Sequence, residues 1–413
     1  MGNWEIMKIR GIPLRIHPSW FLVFLYFTLL AKDHLVTHLN VQASLWTVWL
    51  SGFLTSSLLF LSVLLHELAH SFVAIREGVK VRDITLFFLG GMANLENECR
   101  TSKGSIKIAI SGPIVSFLLA ASMILLSNIL SETSFIISNL FKQVGGLNFL
   151  IGLFNLLPIM PLDGGVILKS IVWQYTGSKR TGIKVAIASA RLISCFVIFI
   201  GFYMLIKARF YTSICLLIIG LFIFSSSKSQ SQIVQIQKIL SDLNVNQVCS
   251  RSYRVLEDDL PVKALTKYTS LNKDNKFDNE WFLLCREGRW VGYVTEKILK
   301  NISVQNWDKK FLYDFSSPID QLPSVSEKES LWQAILKIEK TNDARLLVLS
   351  LAGLPVGTLD RVDIGKAVFK KIGLNLPDQL IKLARKENIY PLGLNLPNIA
   401  NSMVKSDFLE NQK

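Results

Sequence analysis

One long apolar run constrains the fold more than any other feature of the sequence. Residues 43–75 read ASLWTVWLSGFLTSSLLFLSVLLHELAHSFVAI, with two histidines and a glutamate near the end. As a helix, such a run is long enough to cross a hydrocarbon core of about 30 Å. Ionisable side chains at membrane depth cost free energy, so their presence there indicates a functional site. The run therefore predicts a membrane helix that carries chemistry.

Further apolar runs predict a polytopic α-helical membrane protein. Hydrophobic residues make up 50% of the chain and the mean hydropathy is +0.37, which is too apolar for an ordinary soluble protein. We expect a membrane domain over residues 1–227 with about six transmembrane helices. The predicted spans are 18–31, 43–75, 106–130, 147–173, 183–206 and 210–226.

The basic residues predict an orientation in the bilayer. The formal net charge is +14, and with the N-terminus inside, twelve Lys and Arg lie in inside segments and four in outside loops. This asymmetry predicts cytoplasmic N- and C-termini, in the cell inner membrane or an internal membrane. No basic run with interleaved aromatics indicates nucleic-acid binding, so we expect no nucleic-acid partner. The five cysteines form no C-x-x-C pair, which predicts reduced thiols.

The motif H-E-L-A-H predicts half of a metal site. His66 and His70 are four residues apart, so on a helix both imidazoles face one side and can share one ion. Glu67 is placed to act as general base on metal-bound water. Imidazole suits zinc, and zinc lowers the pKa of a bound water to about 7. We expect one Zn²⁺ per chain.

The other half of this site is expected in NLLPIMPLDGG, residues 155–165. Asp163 lies inside an otherwise apolar segment, where Pro158 and Pro161 break the helix and allow the carboxylate to turn toward a cavity. The alternative is a proline-kinked span with a chance aspartate. The small residues of SGPIVS, 111–116, predict close helix packing.

The composition changes after the polar stretch SSSKSQSQ at 225–232, and the rest is patterned like a soluble α/β domain. Residues 280–299 and 344–369 share the order strand, glycine turn, strand, helix, with the turns at Gly288 and Gly353. Two such units predict a paired module.

This pattern gives boundaries for the C-terminal part. We expect a linker at 228–242, repeats at about 243–305 and 310–372, and a tail at 373–413. The tail contains GLNLP twice and is expected to form short helices or loose surface packing.

The motifs HELAH, FLGGMA, SGPIVS and NLLPIMPLDGG, in this order, resemble the site-2 protease family of intramembrane zinc metalloproteases over about residues 8–227. No PDZ-sized insertion separates spans two and three, so the chain is similar to the PDZ-less branch. Many members have Arg directly after D-G-G, whereas this chain has Val166, which predicts a missing contact outside the ligand set.

The resemblance implies roles for individual residues. His66, His70 and Asp163 would be the zinc ligands and Glu67 the general base. Asn155 would hold substrate or stabilise the oxyanion. Gly90 and Gly91 resemble a re-entrant element beside the active site that receives the substrate strand.

The two C-terminal repeats resemble a pair of cystathionine-beta-synthase-type (CBS) domains, which often hold adenosine ligands through a G-h-h-T-x-x-D pattern. The first repeat has Thr295 but Ile298 in the Asp position, and the second has Asp363 but Asp360 in the Thr position. Binding of an adenosine nucleotide and a structural role, including homodimer formation, both remain open.

These patterns together predict a zinc-dependent metalloendopeptidase that cuts membrane-tethered proteins within or near their transmembrane segments, in the lipid bilayer. One alternative is a CBS-regulated transporter or channel whose His and Asp serve a transported ion. Another is a pseudo-protease that binds membrane partners without cutting. Glu67 favours the protease, because a transport site does not need a carboxylate directly after the first ligand.

Overall fold

A computed structural model of the chain describes residues 4–38, 44–88, 90–96, 98–207, 209–250, 253–270, 281–295, 297–341 and 345–407. The chain forms two compact units, Met1–Ser231 and Gln232–Lys413.

The first unit is built on long apolar helices. Six helices in the described residues are long and apolar enough to cross a membrane. This confirms the prediction of a polytopic α-helical membrane protein with about six spans. The helices are α1 (Ser19–Asp33), α2 (Leu45–Arg76), α3 (Ser102–Leu130), α4 (Phe135–Asn155), α5 (Asp163–Thr176), α6 (Lys179–Ile206) and α7 (Phe210–Asp242). A π-helical turn at His34–His38 follows α1. Helix α5 is too short to be counted as a span, so the other six are the candidate membrane helices.

The fourth span differs from the prediction of one helix over 147–173. Helix α4 begins twelve residues earlier, where Ser134 caps it by accepting a hydrogen bond from the backbone N–H of Ile137. The helix ends at Asn155, and a new helix starts at Asp163. Pro158 and Pro161 lie in the gap, and proline cannot donate the backbone hydrogen bond that a helix interior needs. The helix break predicted from the prolines is therefore complete rather than a kink.

A four-stranded sheet accompanies the helices of this unit and was not predicted. The strands are β1 (Trp4–Ile9), β2 (Ile12–Ile16), β3 (Val81–Phe87) and β4 (Gly90–Leu95), in the spatial order β1-β2-β3-β4. Strands β2 and β3 are parallel, and the other two pairs are antiparallel. Leu14 of β2 and Ile84 of β3 are buried and pack in one cluster with Leu68 of α2. The sheet therefore lies against the part of α2 that carries H-E-L-A-H.

The second unit contains two similar three-stranded sheets. In each, the first two strands are parallel and the last two antiparallel. The turns at Gly288 and Gly353 have φ of 77° and 75°, a conformation that glycine adopts without strain. The first half contains β5 (Arg254–Glu257), α8 (Ala264–Ser270), β6 (Trp281–Arg286), β7 (Arg289–Thr295) and α9 (Lys297–Asn301). The second contains β8 (Ser324–Ser326), α10 (Leu331–Thr341), β9 (Arg345–Leu349), β10 (Pro355–Asp360) and α11 (Arg361–Ile372).

The predicted linker at 228–242 is helical, because α7 continues through it to Asp242. Ile236 and Leu240 of this segment are buried in the core of the second half. Their spacing of four residues places both on one face of the helix. Helical periodicity thus outweighs the polar composition that suggested a linker.

Of the two arrangements expected for the tail, it forms the short helices and not loose surface packing. It forms α12 (Asp378–Glu387) and α13 (Leu396–Asp407). Leu396, Ala400 and Met403 of α13 are buried in the same core as Ile236 and Leu240. The tail therefore completes the second half of the unit.

Candidate metal centre

Helix α2 places both histidines and the glutamate inside the membrane unit. The helix starts at Leu45, where Ser44 accepts a hydrogen bond from the N–H of Thr47, and runs unbroken to Arg76. His66, Glu67 and His70 are all less than a tenth exposed. The i, i+4 spacing brings the two Nε2 atoms to 3.1 Å from each other.

Asp163 joins them as the first residue of α5. Its Oδ2 lies 3.3 Å from Nε2 of His66 and 3.3 Å from Nε2 of His70. The glycines after it let the chain turn tightly here, since a Cβ on Gly165 would come within 2.5 Å of the carbonyl carbon of Ile159. The structure thus brings together all three predicted ligands, although 93 residues separate His70 from Asp163 in the sequence.

The three atoms have the spacing that a tetrahedral ion needs. Bonds of about 2.0–2.1 Å at tetrahedral angles place ligand atoms about 3.3–3.4 Å apart. The separations in the structure are 3.1, 3.3 and 3.3 Å. Two imidazoles and one carboxylate are also a donor set that zinc accepts while keeping a fourth position open. The residues therefore fit one zinc ion.

Helix α3 orients the imidazoles, which sequence reasoning missed. Nδ1 of His70 donates to the carbonyl oxygen of Ile108 at 2.7 Å, and Nδ1 of His66 lies 2.8 Å from Oγ of Ser116. Because a carbonyl oxygen only accepts, Nδ1 of His70 carries the proton and its Nε2 is left with a lone pair for a metal. Hydrogen-bonded partners of this kind fix the orientation of metal-binding histidines.

The S-G-P-I-V-S motif explains how α3 comes so close. A Cβ on Gly112 would lie 2.5 Å from Nε2 of His66 and would also overlap the ring of His70. The small residues of α3 do allow a close approach, as expected. The groups that approach Gly112 are the imidazoles of the metal centre. The signal available in the sequence was Ser116 four residues after Gly112, on the same face of the helix.

Glu67 is held by the edge strand β4. Its Oε2 accepts a hydrogen bond from the backbone N–H of Ala93 at 3.1 Å. Gly91 lies so close that a Cβ there would be 2.9 Å from Cδ of Glu67. The predicted element at Gly90 and Gly91 is therefore a strand beside Glu67, with Gly91 in contact and Gly90 at the strand's start.

Asn155 completes the group of residues around the centre. It is the last residue of α4, and its Nδ2 lies 3.4 Å from Nε2 of His66. The structure thus gathers residues from α2, α4, α5 and β4 at one point. Thr295 and Asp363, the predicted nucleotide-binding residues, belong to the second unit.

Comparison with known proteins bears on this arrangement. The model of peptidase family M50 matches residues 54–145 and 130–201, which include the two histidines, Glu67, Asn155 and Asp163. The Synechocystis sp. protein sll0528, classed by name with the zinc metalloproteases, is 28% identical over 369 residues, 89% of this chain and 96% of the relative. Zinc metalloprotease MJ0392 of Methanocaldococcus jannaschii is 26% identical over 269 residues, 65% of this chain and 72% of the relative.

The membrane unit of the chain is thus similar to peptidase family M50, the site-2 proteases, and to named zinc metalloproteases. The named zinc metalloproteases among its relatives and its six long apolar helices identify the chain as a metalloendopeptidase and an integral membrane protein. Stage IV sporulation protein FB of Bacillus subtilis is 31% identical over 179 residues, 40% of this chain and 59% of that protein. Among solved structures, the site-2 protease from Methanocaldococcus jannaschii is similar with a TM-score of 0.39 and 27% identity, covering 56% of this chain and 95% of that one.

The second unit of the chain is similar to solved CBS domains. The CBS domain of the bacterial CNNM/CorC family Mg²⁺ transporter in complex with ATP matches with a TM-score of 0.28 and 14% identity, covering 35% of this chain and 99% of that one.

The candidate nucleotide-binding residue Asp363 of that unit already has protein partners. Its Oδ1 accepts from Nη2 of Arg385 at 2.9 Å, and its Oδ2 accepts from Oγ of Ser250 at 3.0 Å. Burial and the neighbouring Asp360 carboxylate raise the pKa of Asp363 from 3.8 to about 6. Thr295 ends strand β7 in the first half, whereas Asp363 lies in α11 of the second half.

Proposed function

We propose that this metalloendopeptidase hydrolyses peptide bonds within or near transmembrane segments of membrane-tethered proteins, with one zinc ion held by His66, His70 and Asp163. The observation that carries the proposal is the triangle of two Nε2 atoms and Oδ2 of Asp163, with separations of 3.1–3.3 Å. A buried cluster of this donor set is hard to justify energetically without a cation.

Glu67 is the proposed general base. When bound, zinc supplies an open coordination position and lowers the pKa of a bound water to about 7. Glu67 follows the first ligand directly, and the N–H of Ala93 fixes one carboxylate oxygen at 3.1 Å. That hydrogen bond orients the carboxylate, while its other oxygen remains to take up a proton.

Asn155 is the proposed donor to the developing oxyanion or to the substrate. Its Nδ2 is 3.4 Å from Nε2 of His66, so its amide lies at the edge of the metal centre, within reach of a group bound there. A positioned amide donor of this type stabilises negative charge that develops in acyl transfer.

Strand β4 is the proposed receptor for the substrate backbone. Cleavage requires an extended peptide, because the carbonyls of a helix are enclosed by its own hydrogen bonds. Strand β4 is the last in the order β1-β2-β3-β4, so its outer edge can accept an added strand. The N–H of Ala93 donates to Glu67, so a strand added at this edge would lie beside the proposed base.

Exchanging Glu67 for Gln tests the enzymatic proposal. We expect zinc to remain at one per chain while the cleavage of membrane partners falls about 10²–10⁴-fold, as for loss of a general base. Full-length substrates should then accumulate in membranes compared by quantitative proteomics. Glu132→Gln, an exposed change between α3 and α4, is the matched control. Unchanged turnover with zinc retained would favour a transporter or a binding protein over a protease.

We propose the predicted orientation for the chain, with both termini in the cytoplasm and the metal centre near that face. The support is the excess of basic residues in the inside segments. Thiol labelling of single cysteines placed in the loops on either side of α6 tests it. Labelling from the wrong side at these positions would reverse the orientation.

For the second unit we propose regulation through an adenosine nucleotide that binds near Thr295 and Asp363. Arg385 holds Asp363 and also lies 3.2 Å from Oδ2 of Asp360, so a ligand there would compete with this side chain. A thermal shift of the full chain with ATP, ADP or AMP, larger in Arg385→Gln, would support the proposal. No shift in either protein would favour a structural or dimerising role, which light scattering of the purified chain would reveal as a homodimer.

A further inference from the structure

One ion-pair cluster of the membrane unit has no role in the chemistry described so far. Glu98 lies in the segment between β4 and α3, and its carboxylate pairs with Lys179, the first residue of α6. The same Oε2 is 3.9 Å from Nζ of Lys169 on α5. Glu98 thus touches the two helices that follow the break at Pro158 and Pro161.

The cluster connects the two halves of the metal centre. On one side, β4 holds Glu67 through Ala93 and runs directly into the segment that carries Glu98. On the other side, α5 begins with Asp163 and carries Lys169 less than two turns later. Glu98 therefore connects β4, the strand proposed to receive the substrate, to α5, the helix that begins with Asp163.

The burial of Lys169 indicates that its ion pair with Glu98 does not add net stability to the fold. Its side chain is 10% exposed, and the carboxylate of Glu98 lies 3.9 Å away and is shared with Lys179. Burying an ammonium group costs free energy that an imperfect ion pair does not fully offset. An apolar residue of similar length at this position would pack with less cost.

The packing of the neighbouring residue differs from the ion pairs of Glu98 in the elements that it contacts. Cys99, the next residue, is buried in a small core with Ala74 and Ile108 and fixes the segment to α2 and α3. Glu98 adds the attachment to α5 and α6 on the other side. The segment after β4 is thus held from both directions.

We propose that Glu98 is a positioning residue for the reaction, which through Lys169 and Lys179 keeps β4 aligned with α5 so that a substrate strand on β4 meets the metal centre. This rests on the proposed function. Because this connection acts on the strand rather than on the reacting atoms, its loss should weaken substrate binding more than the chemical step.

The experiment compares the full chain with two variants in liposomes of phosphatidylethanolamine and phosphatidylglycerol. The probe is a fluorescent single-span peptide with a central Asn-Pro break. For Glu98→Gln we expect KM to rise about three- to tenfold with kcat within about twofold of wild type. Glu96→Gln, two residues away and exposed, is the matched control and should leave both constants unchanged.

Two further variants separate positioning from stability. Lys169→Met should raise KM while the melting temperature is kept or increased, a combination that a merely structural role does not produce. Glu98→Asp, which keeps the carboxylate, should retain most of the affinity that Glu98→Gln loses. Identical constants in Glu98→Gln and Glu96→Gln, or parallel losses of kcat and melting temperature, would overturn the proposal. Absence of cleavage by the wild-type chain would instead count against the proposed function.

Discussion

The chain carries two predicted sites, one in each unit, and their surroundings differ. In the membrane unit, neighbouring elements bind the outer atoms of the site, Nδ1 of both histidines and one oxygen of Glu67, and leave the Nε2 atoms facing Asp163. In the second unit, Arg385 and Ser250 take both oxygens of Asp363. In the membrane unit, the ligand atoms are oriented toward one shared point. In the second unit, the carboxylate of Asp363 already has its hydrogen bonds from other residues of the protein.

This difference matches the completeness of the two motifs. H-E-L-A-H and Asp163 form a full ligand set, whereas each CBS-like repeat lacks one residue of its pattern. A motif therefore predicts a binding site best when the rest of the chain leaves its ligand atoms without protein partners of their own. Variants of the ligands and of their hydrogen-bond partners test this difference between the two sites.

The largest effect is expected from Asp163→Ala. Removing one corner of the triangle leaves two imidazoles, which should lower zinc from one per chain to near zero and cleavage by at least about 10³-fold, since the ion stabilises the transition state by several kcal/mol. Metal analysis by mass spectrometry and the peptide assay measure both. Asp33→Ala, an exposed aspartate at the end of α1, is the control. Full zinc content in Asp163→Ala would show that the triangle is not the zinc site.

Gly112→Ala should come next, although it changes no ligand. The added Cβ would lie 2.5 Å from Nε2 of His66, so α3 must shift and the imidazoles with it. Misplacement of about 1 Å can cost roughly 10²-fold in rate. Gly146→Ala is the matched control, because its Cβ would meet no atom within 4 Å. Equal activity of the two alanine variants would refute the close approach of α3.

A smaller effect is expected for Ser116→Ala, which removes the hydroxyl 2.8 Å from Nδ1 of His66. Loss of such a hydrogen-bond partner typically lowers metal affinity or activity about 10–100-fold. Competition with a zinc chelator measures the affinity. Ser122→Ala on the same helix, whose hydroxyl donates to the carbonyl oxygen of Leu119 in its own turn, should behave as wild type. Indistinguishable chelator curves for the two variants would mean that Ser116 does not orient the ligand.

The smallest effect concerns pH and the second unit. The pKa of Asp363 is raised from 3.8 to about 6, so between these values the folded state binds its proton and the unfolded chain does not. The stability contribution of this carboxyl therefore falls as pH rises from about 4 to about 6. Hydrogen exchange of α11 in the full chain should show protection that decreases over this range, and Asp363→Asn should flatten the decrease. Asp378→Asn, exposed at the start of α12, should leave the pH profile as in wild type.

Much of the membrane unit could be predicted from local pattern. The six apolar helices and the helical spacing of His66 and His70 depend on residues close in sequence, where periodicity and length suffice. The break before Asp163 followed from two prolines. The start of α4 was missed because the residues after Ser134 are more polar than a typical span, and packing against α2 and α3 compensates for this within the fold.

The elements that orient the site could not be predicted in the same way. Strands β2 and β3 are parallel but separated by two membrane helices, so no local pattern links them. The contacts of Ser116 and Ile108 with the histidines span 50 and 38 residues. In the second unit, the helical end of α7 and the buried face of α13 depend on one shared core. Each of these features arises from tertiary packing.

The separation of the ligands along the chain has a consequence for biosynthesis. The two histidines are made at least 93 residues before Asp163. If all three hold zinc, a nascent chain whose first four helices are already in the bilayer still lacks a complete ligand set. Such a chain would remain inactive until α5 has been synthesised and has docked against α3. The protease would then be unable to attack its neighbours in the membrane while it is still being assembled at the translocon.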